Sequence, residues 1–159
     1  MFATEAVVIF TFEMMKKLHL HLCLHGSIVL TISLLCGIPY GLAIKSKEEE
    51  PTRAWKLAHS SLAMGSTTML AVGAIIPYLE ISSWACQAMV SSWILCGYGF
   101  SFALPLAAFT GNRGLNSGGS SANNFVYLGN LVGASGSLVG TLFLLSGIVS
   151  TLLQDSEAS

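Results

Sequence analysis

Long apolar stretches alternate with short polar runs along the chain, and each apolar stretch exceeds the roughly 20 residues that span a hydrocarbon core. The pattern predicts four helices, over about 13–44, 54–79, 84–109 and 125–153. Between them lie KSKEEEPTR at 45–53, a tight connection from Glu80 to Ser83, and the polar run TGNRGLNSGGSSANN at 110–124. The expected fold class is all-α, an integral membrane four-helix bundle in which residues 1–159 form a single transmembrane domain. Trp55 and Tyr78 stand near the two ends of the second helix, where interfacial aromatic anchors belong. Gly97, Gly99 and Pro105 permit a kink in the third. The series Gly129, Gly133, Gly136 and Gly140 favours a close helix contact in the fourth.

Composition sharpens this reading. The chain is 53% hydrophobic and only 9% charged, with a mean hydropathy of +0.69, too apolar for an ordinary soluble domain. Seven Lys and Arg against eight Asp and Glu leave a net charge of −1, so no basic surface for nucleic acid is expected. Met1 to Phe12 is apolar but carries Glu5 and precedes Glu13 and Lys16-Lys17. That is the reverse of a cleaved signal's order, so the segment reads as the retained start of the first helix. Asp155 to Ser159 reads as a short polar tail, and the Gly-Ser part of 110–124 as flexible. Cys23, Cys36, Cys86 and Cys96 show no CxxC spacing and read as small buried hydrophobes. Lys16 and Lys17 lie on the side of the termini, whereas Lys45, Lys47, Arg53, Lys56 and Arg113 lie on the other. The positive-inside rule then puts the loops 45–53 and 110–124 in the cytoplasm, for a protein of the inner or plasma membrane.

The candidate chemistry begins with histidine. His59 falls just inside the second helix, and an intramembrane histidine is costly unless partnered or functional. It reads either as a ligand or proton-handling group, or as a neutral imidazole bonded between helices. Its helix face continues through small residues, Ser66 among them. His21 and His25 are spaced i, i+4 on one face, without the Glu of an HExxH motif. His19 and His21 read as interfacial, and His25 as deeper. Asn112-Arg113 reads as a contact point or as a topology-setting charge, since Arg113 is the only charge between Glu80 and Asp155. Tyr127 and Asn130, spaced i, i+3, can project polar groups from the start of the last helix. There is no serine-nucleophile motif, no phosphate-cradling glycine loop and no intramembrane carboxylate pair. An apolar cavity of this make-up suits a haem or a small apolar substrate.

Three stretches carry a family resemblance: PTRAWKLAHSSLAMGS at 51–66 with AVG and Pro77 after it, GNRGL at 111–115, and the Asn-rich lead into a glycine-rich helix. They resemble the styrene oxide isomerases, small four-helix membrane proteins related to the hydroxylaminobenzene mutases. His25-Gly26 is similar to a His-Gly in the family's first helix. The resemblance implies a homotrimer with haem b between neighbouring subunits and His59 as axial ligand of the iron. His25, Asn112, Arg113 and Ser66 become the expected further cofactor contacts. Tyr98, Tyr127 and Asn130, with Asn123 and Asn124, become the expected substrate-side groups. The implied reaction is the conversion of a small apolar epoxide to an aldehyde by a 1,2-hydride shift, ferric iron acting as a Lewis acid. The alternatives are a hydroxylamine rearrangement of the mutase type, or a non-catalytic haem-binding membrane protein. The sequence departs from the family's pattern at Gly65, Leu104 and Cys96, where an Asn, a Tyr and an acidic residue are expected.

Overall fold

The structure, a computed structural model, describes residues 2–157, with side chains over 17–154 and at 156. It is all-helical: α1 (Phe2–Ser46), α2 (Glu49–Ile75), α3 (Ser83–Thr110) and α4 (Ser121–Glu157), with a 3₁₀ turn at Ile76–Tyr78 extending α2. No strand occurs among the described residues. Four stretches, Lys17–Ser46, Glu49–Tyr78, Ser83–Thr110 and Ser121–Gln154, are long and apolar enough to cross a membrane. Their 28 to 34 residues give helices of about 42–51 Å at 1.5 Å per residue. A hydrocarbon core is about 30 Å thick, so each helix is longer than a crossing requires. The expected early start of α1 extends to Phe2, and Met1 lies outside the described residues. The supposed polar tail is helical to Glu157, with 158–159 outside the described residues.

The run KSKEEEPTR is almost entirely helical, with only Lys47 and Glu48 outside the two helices. The reason is local. Glu49 and Glu50 fall in the first turn of α2, where negative charge complements the helix dipole. Pro51 is the third residue of α2, where a missing N–H breaks no intrahelical bond. The N–H of Thr52 makes the first such bond, to Glu48 O at 3.0 Å. Lys47 reverses the chain with φ of 58°. Its N–H bonds Ile44 O at 3.2 Å and that of Glu48 bonds Ala43 O at 3.3 Å, so the last carbonyls of α1 are satisfied.

The second long loop is also shorter than its composition suggests, and it is held in place. Ser120 Oγ accepts from Asn123 N at 3.2 Å, a side-chain cap on α4. Asn123 accepts from Gly114 N at 3.1 Å and donates to Asn116 O and Gly118 O, both at 2.9 Å. Asn124 accepts from Gly118 N at 2.7 Å. The Gly-Ser run is thereby pinned rather than free.

Three helices, α1, α2 and α3, pack against one another, while α4 lies along α3 and barely touches the other two. Leu22, Val29, Leu62, Met69, Ile76, Cys86 and Met89 fill the space among the first three. Gly26, Gly73 and Gly97 let the backbones close in, for a Cβ at Gly73 would lie 2.6 Å from Cys23 Sγ and one at Gly97 2.9 Å from Met69 Sδ. The α3–α4 seam uses the expected glycine series. Gly129, Gly133, Gly136 and Gly140 all press on α3, and their 4-3-4 spacing keeps them on one stripe. Leu128, Leu131, Leu138, Leu142 and Leu145 are exposed on α4, as suits contact with lipid or with another chain.

Candidate functional site

The polar groups of the spans collect in three places. The first surrounds His59, half-buried on α2 and turned to α1. Its Nδ1 lies 2.8 Å from the backbone oxygen of Ser33. A carbonyl only accepts, so Nδ1 donates. The buried Ser33 hydroxyl answers by donating to His59 O at 2.7 Å. Tyr40 lies roughly parallel to the ring at 6.2 Å, and Gly37 leaves the Cε1 edge uncrowded. With Nδ1 engaged by this carbonyl, Nε2 is the ring nitrogen left for a ligand. A backbone carbonyl orienting one nitrogen while the other is left to ligate is the usual support of a metal-binding histidine.

In the second place α1 and α3 meet at His25 and Tyr98, with Nδ1 and the phenol oxygen 2.8 Å apart and the rings edge to face at 5.5 Å. His21 stacks beyond His25 at 6.4 Å. His25 stands eight residues before Ser33 on α1, about 12 Å along the axis, and faces α3 rather than α2. In one protomer His25 and Tyr98 therefore do not share the surroundings of His59. Tyr98→Phe is expected to lower stability in detergent by about 1 kcal/mol, measured by chemical unfolding, without changing any spectroscopic signature of a ligand on His59.

The third place is a cavity of about 890 Å³ between the first turns of α2 and the last turns of α3. Asn112, Arg113 and Asn130 line it, together with Arg53, Lys56 and Ser60 from α2 and Leu104 from α3. From sequence Arg53 and Lys56 counted only as topology-setting charges, not as site residues. Their i, i+3 spacing in the basic flank of the second helix is the signal that groups them with Arg113. His59 does not line this cavity.

The other expected site residues lie elsewhere. Ser66 is fully buried and its hydroxyl donates to Ala63 O at 2.8 Å, beside the close approach of Gly26. It is a packing residue, without an open side toward a ligand. Tyr127 is half-buried next to the tight turn at Gly114 and outside the cavity. Asn123 and Asn124 hold the loop through their side-chain amides. Gly65 borders open space, since a Cβ added there would meet nothing within 4 Å, and Cys96 is buried against α4 at Gly136. Sequence reasoning missed Ser33 and Tyr40, because the acceptor that orients His59 is a backbone atom.

Four helices long and apolar enough to cross a membrane, with polar groups set within them, are the make-up of a polytopic helical membrane protein. The chain belongs to the styrene oxide isomerase family, whose profile matches residues 18–149, the bulk of the chain. Membership points to an isomerase of the styrene oxide isomerase type. A search of curated proteins finds no match.

Proposed function

We propose that the protein is a haem-dependent membrane isomerase that converts a small apolar epoxide to an aldehyde, with His59 as axial ligand. The observation that carries this reading is the reciprocal His59–Ser33 pair, which orients the imidazole through Nδ1 and leaves Nε2 as the ligating atom. When bound, a ferric haem supplies a Lewis acid able to polarise the epoxide oxygen. The chain's own part is to present Nε2, to hold the ring by the Ser33 carbonyl and to keep water away with apolar helix faces. His59 stands ten residues into α2, about 15 Å from its start, beneath the headgroup layer.

The assembly in this reading is a homotrimer with the cofactor between copies. One feature supports that: the outer faces of α1 and α4 expose large apolar side chains along their length. The loops around 47–48 and 111–120 face the cytoplasm in this proposal, since five of the seven Lys and Arg lie on that side.

A specific observation favours a second reading, a haem carrier without turnover. The space beside Gly65 is open and Leu104 brings no hydroxyl, so two expected substrate-holding groups are missing. One experiment separates the two. Protein purified with haem supplied during expression should show a Soret band, and incubation with an aryl epoxide should yield aldehyde with no added reductant. A band without aldehyde, from epoxides or from aryl hydroxylamines, establishes the carrier. No band in haem-supplied protein removes both.

A further inference from the structure

We propose that the cavity between the loop ends of α2 and α3 binds an anionic phospholipid, the headgroup at a three-cation rim and an acyl chain along the apolar wall. The rim is built by Arg53 and Lys56 on α2 and Arg113 on the loop after α3. Among the described residues that line the cavity the one carboxylate is Glu50, which stands 3.9 Å from Arg53 with both side chains largely in solvent. A pair so exposed is weak. Among the described residues neither Lys56 nor Arg113 has an ion-pair partner. The site therefore carries a surplus of positive charge, with the Asn112 side added as a hydrogen-bonding group.

Below the rim the lining changes character. Leu57, Leu104, Ala108 and Phe109 form an apolar wall, which a small hydrated anion would leave uncovered. Depth fits the same occupant. Arg53 lies four residues after the start of α2 and Ser60 eleven, about 6 and 16 Å along the axis. Spans this long overhang the hydrocarbon core by several Å at each end, so Arg53 lies at headgroup level, Lys56 reaches that level by its long side chain, and Ser60 lies at acyl level. A basic pocket between helices at the membrane boundary is the arrangement that selects anionic headgroups.

The test uses the full-length protein in nanodiscs of equal phosphatidylglycerol and phosphatidylcholine, followed by native mass spectrometry of the lipid retained on release. Wild type is expected to retain phosphatidylglycerol in clear excess. Neutralising each cation, in Arg53→Gln, Lys56→Gln and Arg113→Gln, is expected to lower that excess by up to about fivefold. Lys45→Gln, on the same membrane side but outside the cavity, is expected to leave it unchanged, and Leu104→Trp, which fills the apolar wall without altering charge, is expected to lower it. Equal retention of both lipids by wild type overturns the proposal, as does an equal effect of Lys45→Gln. If the cation variants instead lose bound haem while lipid retention stays as in wild type, the rim belongs to the cofactor's carboxylates and the lipid site is refuted.

Discussion

His59→Ala is expected to abolish the Soret band of haem-supplied protein and, with it, aldehyde formation from aryl epoxides. The helix should survive the change. The hydroxyl of Ser33 donates to the backbone oxygen of residue 59, a bond that alanine keeps, and His59 is only half-buried. What disappears is the imidazole and its bond to Ser33 O. Removing a buried donor's partner costs about 1–3 kcal/mol, but here the orphaned acceptor is a helix carbonyl already bonded within α1, so the cost belongs at the low end. Loss of the band with retained monodispersity and helicity is therefore the expected pair of results, and added imidazole should restore part of the band by filling the space left by the side chain. Ser33→Ala serves as the graded comparison. It deletes the hydroxyl but keeps the carbonyl that orients Nδ1, so haem affinity should fall by less than the 10–100-fold typical of losing an orienting partner. An undiminished Soret band in His59→Ala would end the axial-ligand assignment, whatever the activity.

The contrast between those two variants also shows what a linear reading can and cannot reach. The spans were legible because hydropathy over some 20 residues reflects a single dominant cost, that of exposing backbone and charge to lipid. The isolated His59 stood out for the same reason. Its partner did not, because the acceptor is the main-chain oxygen of Ser33, and a backbone oxygen carries no residue signature. Helix ends were misjudged where charge was taken to mean loop, since glutamates and a proline are equally at home in a first turn, and that is how Glu49 to Pro51 are used. The places of the other site residues within one protomer were not legible for a related reason. His25, Ser66, Arg113 and Tyr98 are grouped with His59 by the resemblance, yet in one protomer they face α3, the core, the loop-side cavity and α1 respectively. Only the packing of α3 against both α1 and α2 separates them. The asparagines after the Gly-Ser run looked like ligand groups because polar side chains at a membrane boundary suit that use, and their bonds to the loop, made to backbone atoms, left no trace in the sequence.

The α3–α4 seam gives the second large effect. Gly136→Val is expected to loosen α4 from the bundle, because the first atom added at this position already lies 2.7 Å from Ser92 O and 2.9 Å from Cys96 N. Both are backbone atoms of α3, which cannot swing aside as a flexible side chain would. Two opposing terms decide the sign for the smaller change, Gly136→Ala. Alanine gains about 0.5–1 kcal/mol over glycine inside a helix, whereas overpacking a tight contact costs about 1–3 kcal/mol. Overpacking wins here, and valine, branched at the very atom that clashes, adds to it. Gly41→Ala is the control, since a Cβ there meets nothing within 4 Å, and it should stabilise slightly or leave stability unchanged. Thermal unfolding in detergent reads all three, with Gly136→Val lowest and Gly41→Ala at or above wild type. The consequence reaches beyond stability. Because α4 is fastened to the bundle almost solely through α3 and carries Asn130 to the loop-side cavity, prying this seam apart should open that cavity while leaving the His59–Ser33 pair between α1 and α2 intact. Gly136→Ala should therefore weaken ligand retention in the cavity before it weakens any ligand on His59, an order that would be reversed if the two places formed one continuous site within the protomer.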